Sequence, residues 1–308
     1  MQSTNHLLMI RPVAFTFNVQ TASNNSFQNP NVANSQTQTL ALQEFDNFVQ
    51  KLTEVGVNVT VINDTLEPHT PDSIFPNNWI SFHNNGLIAV YPMFATNRRV
   101  ERRFDVLDKL GDLFTLDEIQ DYTASEKDNQ FLEGTGSMVL DRENKICYAC
   151  LSPRTDKSLL ERFCTDFGYR LIDFIANDGN GSAIYHTNVV MSVTSNFMII
   201  CTECIPNKAE VAAVLATTKK QIIEISLAQL NQFAGNVLEV LGTDNKKYLV
   251  MSEQAFKAYN QNQIAEIEKH NAILQAPLYT IESNGGGSAR CMMAEIFLTP
   301  KAKSVEGK

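Results

Sequence analysis

The sequence predicts an α/β fold built from five copies of one unit: a β-hairpin, a helix and a returning strand. Three observations carry this. Short β-rich runs recur in pairs around turns of Asn, Gly, Asp, Ser and Thr. Each pair is followed by a helical stretch and a further short run. The apolar run near the C-terminus finds its partner at the N-terminus, so the two chain ends complete one unit. Self-similar units of this size stack as a propeller or an array. Pairing of the two ends would close the ring into five blades and remove exposed sheet edges.

The split unit takes strand 7–10, helix 40–52 and strand 57–62 from the start of the chain, and strand 291–298 from its end. The second unit has strand 79–82, the turn Asn84-Asn85-Gly86 and strand 87–93. Its helix runs through Arg103, Val106, Leu107 and Leu110, spaced for one face, and strand 113–116 follows. In the third unit strands 137–140 and 146–151 flank Arg142-Glu143-Asn144, with helix 159–167 and strand 169–174. The fourth has strands 188–193 and 197–201 around Thr194-Ser195-Asn196, helix 208–217 and strand 221–225. The fifth has strands 237–241 and 248–251 around Gly242-Thr243-Asp244-Asn245, a long helix 253–274 and strand 278–281. No linker interrupts the series, so residues 1–308 are expected to form one catalytic domain.

The chain has 308 residues, 44% hydrophobic, enough for a large core. A formal charge of -9 argues against a nucleic-acid partner. No apolar run reaches membrane-spanning length, and 7–10 is too short for the core of a signal peptide. A cytoplasmic protein with six reduced cysteines is therefore expected. Cys147 with Cys150, and Cys201 with Cys204, have the spacing of zinc knuckles. Both pairs lie in strand-like runs, where i and i+3 face opposite sides, so no metal site is expected.

The segment GGGSARC, residues 285–291, places a thiol beside three glycines that are costly to order. Such a loop suits positive φ or close approach to a ligand, and a thiol there can be a nucleophile if a base lies near. Asp72, Glu133, His186, Asn236 and Cys291 all fall at or just before the first strand of their units. Equivalent loops of a ring meet on one face. His186 is the one histidine of five at such a point. Cys291 as nucleophile, His186 as proton shuttle and Glu133 as its acidic support make a coherent set.

These segments, LEGTG, YHTN, GGGSARCM, PDSIFPNNW and LSPRT, resemble the guanidine-modifying (pentein) superfamily of arginine deiminases, dimethylarginine hydrolases and amidinotransferases. The resemblance covers about 9–298 and implies a five-bladed α/β propeller, matching the unit count. It implies Cys291 as nucleophile, His186 as acid/base, Glu133 as acidic partner and Asp72 as the substrate-side aspartate. It further implies that Arg98 and Arg154 hold an α-carboxylate. One departure is informative: Asn77-Asn78 stand where dimethylarginine hydrolases carry two acidic residues. Carboxylates suit a guanidinium, which only donates, whereas an amide can also donate to a ureido carbonyl.

The pattern is most like the citrulline-hydrolysing branch. It implies a cofactor-free hydrolase that cleaves the ureido C–N bond of L-citrulline through a carbamoyl thioester, giving ornithine, carbon dioxide and ammonia. Asn77, Asn78 and Asn236 join Asp72 and the two arginines on the substrate side. The rivals are an arginine deiminase or dimethylarginine hydrolase, an amidinotransferase, and a binding module without chemistry. An amino acid is the expected partner, no membrane or nucleic acid is, and a homo-oligomer is left open.

Overall fold

The computed structural model describes residues 1–84 and 86–301. The first unit has β1 (His6–Arg11), α1 (Thr37–Glu54) and β2 (Asn58–Asn63). The second has β3 (Ile80–Phe82), β4 (Leu87–Val90), α2 (Phe104–Leu113) and β5 (Glu118–Asp121). A one-turn helix α3 (Gly134–Ser137) leads into β6 (Val139–Asp141), β7 (Ile146–Cys150), α4 (Lys157–Phe167) and β8 (Arg170–Phe174). The next unit has α5 (Thr187–Val190), β9 (Met191–Val193), β10 (Phe197–Ile200), α6 (Lys208–Leu215) and β11 (Gln221–Glu224). Then come α7 (Leu227–Leu230), β12 (Leu238–Leu241), β13 (Lys247–Ser252), α8 (Glu253–Ala258), α9 (Gln261–Glu268) and β14 (Ala272–Ala276). The chain ends on α10 (Tyr279–Gly285) and β15 (Ala294–Glu295).

Among the described residues these strands form five three-stranded sheets of one topology, an antiparallel pair followed by a parallel pair. The terminal sheet keeps that pattern, with β15 antiparallel to β1 through Leu7 opposite Glu295, and β1 parallel to β2. Central strands such as Phe197–Ile200 are buried throughout and read as continuous apolar runs. The helices cover the sheets. α1 turns Ala41, Phe45, Phe48 and Leu52 onto Leu7, Met9 and Val57. α4 is started by the Asp156 carboxylate, which accepts from the Ser158 and Leu159 amides, and is stopped by Gly168 in the left-handed region.

Each sheet's first strand begins later than its sequence predicts, because a tight turn precedes it. Short helical turns at Pro76–Asn78, Gly134–Ser137, Thr187–Val190 and Ala289–Met292 lead into β3, β6, β9 and β15. Asn236 closes a comparable turn before β12 by donating its amide to the Phe233 carbonyl. Cys291 thus lies in a helical turn, and only Ala294–Glu295 of the expected strand 291–298 pairs as a strand.

Four further expectations are corrected. The helix over 253–274 is two helices, since Tyr259 is extended and Asn260 starts α9 with a capping box to Gln263. The returning strand is Ala272–Ala276, and 278–281 opens α10, whose first amides, Thr280 and Ile281, donate to the Glu44 carboxylate. Residues 113–116 are not the returning strand of the second unit; Leu113 ends α2 and the strand is Glu118–Asp121. That strand is an exposed, polar edge, so it carries no apolar signal. Of the turn Asn84-Asn85-Gly86, Asn85 lies outside the described residues, while Gly86 takes a φ of 76°. Cys204 sits in a turn after β10, not in a strand, and its thiol donates to the Cys201 carbonyl at 3.0 Å.

Candidate active site

The turns before the first strands build the site, because each packs on the next. Residues 76–78 touch 134–137, and these touch 187–190. The Asn236 Nδ2 donates to the Asn188 carbonyl at 2.9 Å, and the Arg290 amide donates to Asn236 Oδ1 at 3.1 Å. Residues 289–292 return to 76–78. Two glycines make this approach feasible. A Cβ on Gly134, whose φ is +47°, would lie 2.2 Å from the Asn77 carbonyl oxygen, and one on Gly136 would lie 2.4 Å from Asn78 Nδ2.

Where the turns converge, Cys291, His186, Asp72, Asn78, Arg98 and Arg154 line one narrow cavity. Phe75, Tyr185 and the backbone of Gly285–Gly287 complete the wall. Gly286 ends α10 at a φ of 67°, as a glycine run at a ligand predicts. Glu133 stands behind His186, its Oε2 2.9 Å from His186 Nε2 and its Oε1 accepting from the Phe94 amide at 3.0 Å. Asn236 stands behind Cys291 with Nδ2 3.2 Å from the sulfur. Asn77 does not reach the cavity; it is buried behind Asn78 and accepts from Asn78 Nδ2 at 3.0 Å.

The charges are arranged in opposition. Burial works against the Glu133 carboxylate, but Arg154, the His186 hydrogen bond and Arg98 outweigh it and hold it down at about 2. Burial drives the His186 imidazole down to about 4, against the pull of Glu133. Burial likewise raises the Cys291 thiol, opposed by hydrogen bonds and by Arg290. The set is therefore ionised carboxylate, neutral imidazole and thiol at neutral pH. Burial also raises Asp72, although Arg98 and hydrogen bonds from Asn18 (2.7 Å) and Thr21 (3.2 Å) favour its charge.

The two arginines differ. Arg98 is no surface residue: it is 2% exposed and pairs Glu101 with two 2.9 Å bonds. It also donates to Asn78 Oδ1 at 2.9 Å and to the Asp72 and Phe75 carbonyls, so its donors are committed inside the protein. Arg154 places Nη1 3.5 Å from Glu133 and donates its other nitrogens to Asn24 and the Thr21 carbonyl. Sequence reasoning missed Asn18, Thr21 and Asn24, which reach the site from a long irregular segment, and Asn188, whose Nδ2 is 3.6 Å from the Cys291 sulfur. None carries a local motif. Asn188 alone had a signal, two residues after His186 in YHTN.

Five sheets of one topology, with cysteine, histidine and glutamate brought together where their turns meet, are the arrangement of the guanidine-modifying pentein superfamily. Within it, the chain belongs to the family described as N,N dimethylarginine dimethylhydrolase, eukaryotic, whose model matches residues 11–298. No curated protein matches the chain by sequence. Among solved structures it is similar to ArgZ, an arginine dihydrolase from the ornithine-ammonia cycle in cyanobacteria (15% identity, TM-score 0.76). The match covers 98% of this chain and 42% of ArgZ. The N-terminal domain of ArgZ in a cysteine-to-serine variant, bound to substrate, is 14% identical with a TM-score of 0.74, covering 95% of this chain and 99% of that domain. AgrE with ornithine and NAD+ is 16% identical with a TM-score of 0.76 over 97% of this chain and 40% of its own. Dimethylarginine dimethylaminohydrolase, as an adduct with 4-chloro-2-hydroxymethylpyridine, is 14% identical with a TM-score of 0.64 over 96% of this chain and all of its own. The chain thus spans about two fifths of full-length ArgZ and AgrE. No helix among the described residues is long and apolar enough to cross a membrane.

Proposed function

We propose that this chain hydrolyses the ureido C–N bond of L-citrulline, on a single domain of five blades closed by its terminal strands. One observation carries the choice of substrate. A guanidinium only donates, so Arg98 Nη1 at 2.9 Å fixes the Asn78 amide with Oδ1 toward Arg98. Nδ2 then lies on the side of Gly136 and His186, with one N–H on Asn77 and the other free for a substrate acceptor. A ureido oxygen can accept that bond, whereas a guanidinium has only N–H to offer there. Asp72 would take an N–H of the substrate with Oδ1, which has no partner among the described residues. Arg154 is the better of the two arginines for the α-carboxylate, since its Nη1 makes only a 3.5 Å contact to Glu133 among the described residues, whereas all three Arg98 nitrogens are hydrogen-bonded at 2.9 Å.

In this reading the Cys291 sulfur bonds to the ureido carbon and the thiol proton passes to His186. The bond to the ornithine nitrogen then breaks, and His186 delivers the proton to that nitrogen. Glu133 supports the transient imidazolium. Water loses a proton to His186 and attacks the carbamoyl thioester. The sulfur leaves and regains the proton, and carbamate decomposes to carbon dioxide and ammonia. No step calls for a cofactor or metal.

The rival is a guanidino substrate, favoured by the arginine-acting ArgZ and the dimethylarginine enzyme among its structural relatives. Mass spectrometry of products from citrulline, arginine and dimethylarginine separates the two. Ornithine formed from citrulline at higher kcat/KM than any product from arginine supports our reading. The reverse order moves the protein to the rival.

A further inference from the structure

We propose that Asn188 and Asn236 form a carboxamide cradle that stabilises the Cys291 sulfur when it ionises, a role that rests on Cys291 being the nucleophile. The orientation of Asn236 is fixed at both ends of its amide. Oδ1 accepts from the Arg290 amide at 3.1 Å, and Nδ2 donates to the Asn188 carbonyl at 2.9 Å. The remaining Nδ2 hydrogen points to the sulfur at 3.2 Å. Asn188 adds a second N–H at 3.6 Å, with its Oδ1 3.8 Å from the sulfur and able to accept from the thiol, and its side chain makes no hydrogen bond other than to Cys291 among the described residues. Both asparagines are at most 1% exposed, so their donors are closed to bulk solvent.

A buried N–H without an acceptor is costly, and the sulfur is the acceptor within reach. Hydrogen bonds donated to sulfur strengthen when it becomes anionic, so the cradle favours thiolate over thiol. It acts against the desolvation of this enclosed site. Asp72, Arg98, Arg154, Tyr185 and His186 face Cys291 across the cavity, and Arg290 adjoins it on its own turn. None of the six bonds to the Asn188 side chain, so a change in the sulfur's titration in Asn188→Ala reports the cradle.

The test is the pH dependence of iodoacetamide alkylation at Cys291, read by mass on its peptide so that the other cysteines do not interfere. Asn188→Ala should move the midpoint upward, and Asn236→Ser should move it by about one unit, a tenfold loss of thiolate at neutral pH. An unmoved midpoint in Asn188→Ala overturns the proposal, and that variant decides alone if Asn236→Ser does not fold. The assay contains no amino-acid substrate. A shifted midpoint in a protein that fails on citrulline would leave the cradle standing and remove only the substrate assignment.

Discussion

His186 Nε2 lies 2.9 Å from Glu133 Oε2, and neither side chain is more than 2% exposed. The pair titrates as a unit displaced toward acid. With His186 driven by burial to about 4, kcat/KM for citrulline should stay level on acidification until the pH nears 4. An ordinary histidine would end activity near 6.5. Removing the carboxylate in Glu133→Gln lowers the imidazole further, and kcat should fall about 100-fold or more. Both groups are lower in the folded state, Glu133 at about 2. Stability is therefore fully present above the unfolded histidine's titration, near 6.5, and declines as pH falls through that value toward 2. Thermal unfolding across that window, in wild type and Glu133→Gln, checks the sign.

The cysteines should separate into one reactive thiol and five packing residues. Cys147, Cys150, Cys164, Cys201 and Cys204 are buried among apolar neighbours of the sheets, away from the cavity wall. Serine at any of these should lower the melting temperature while kcat holds. Cys291→Ser should abolish turnover with little change in melting. Near-normal turnover by Cys291→Ser removes the nucleophile from this position.

Much of this arrangement was legible in the sequence because it depends on phase. Turn residues and short apolar runs place Glu133, His186, Asn236 and Cys291 at equivalent points, and the structure brings these four together. What stayed hidden depends on contacts without a local trace. Asn18 and Thr21 reach Asp72 across more than fifty residues. Arg98 looks like part of a solvated charge run until Glu101 is seen buried beside it. Asn77 and Asn78 are neighbours in sequence, yet only Asn78 lines the cavity, while the Asn77 amide is buried behind it and accepts from Asn78 Nδ2. The strand Glu118–Asp121 pairs by backbone alone and has no apolar pattern to announce it.

Arg98 and Arg154 should now behave differently. Arg98→Ala leaves Glu101 and Asp72 buried without their cation, and stability should drop by about 3–5 kcal/mol. Arg154→Ala loses bonds to Asn24 and the Thr21 carbonyl and its 3.5 Å pairing with Glu133, which keeps His186 and Arg98 as partners, so the structural cost should be smaller while KM for citrulline rises and kcat falls with it. Urea unfolding with steady-state kinetics on both variants distinguishes them. An Arg154→Ala enzyme with unchanged KM takes this residue away from the α-carboxylate.

Gly136→Ala tests the close approach of the turns. Its new methyl would lie 2.4 Å from Asn78 Nδ2 and 2.8 Å from the His186 ring, so one of them must shift. Displacement of a catalytic group by about an ångström costs roughly 100-fold. The expected outcome is a folded protein with kcat reduced by that order. Wild-type kcat in Gly136→Ala would show that Asn78 and His186 are not held in their working positions here.

Asn78→Asp changes the charge of the site without changing its shape. A carboxylate there still accepts from Arg98 Nη1, whose 2.9 Å bond holds the side chain in place. The substitution removes the free Nδ2 hydrogen that a ureido oxygen would accept, and adds the negative charge a guanidinium favours. One charged contact in a buried site is worth about 2–5 kcal/mol, and about 1.4 kcal/mol is tenfold. Wild type should therefore prefer citrulline to arginine, and the ratio of their kcat/KM values should fall by roughly thirty-fold or more in Asn78→Asp. Asp72 is present in both proteins and, in the proposed reading, would take an N–H common to both substrates, so the change in ratio isolates position 78. Parallel ratios in Asn77→Asp provide the control, because Asn77 lies behind Asn78 and outside the cavity. If Asn78→Asp leaves the ratio where it was, the amide does not read the ureido oxygen. If wild type already prefers arginine, the guanidino reading takes its place.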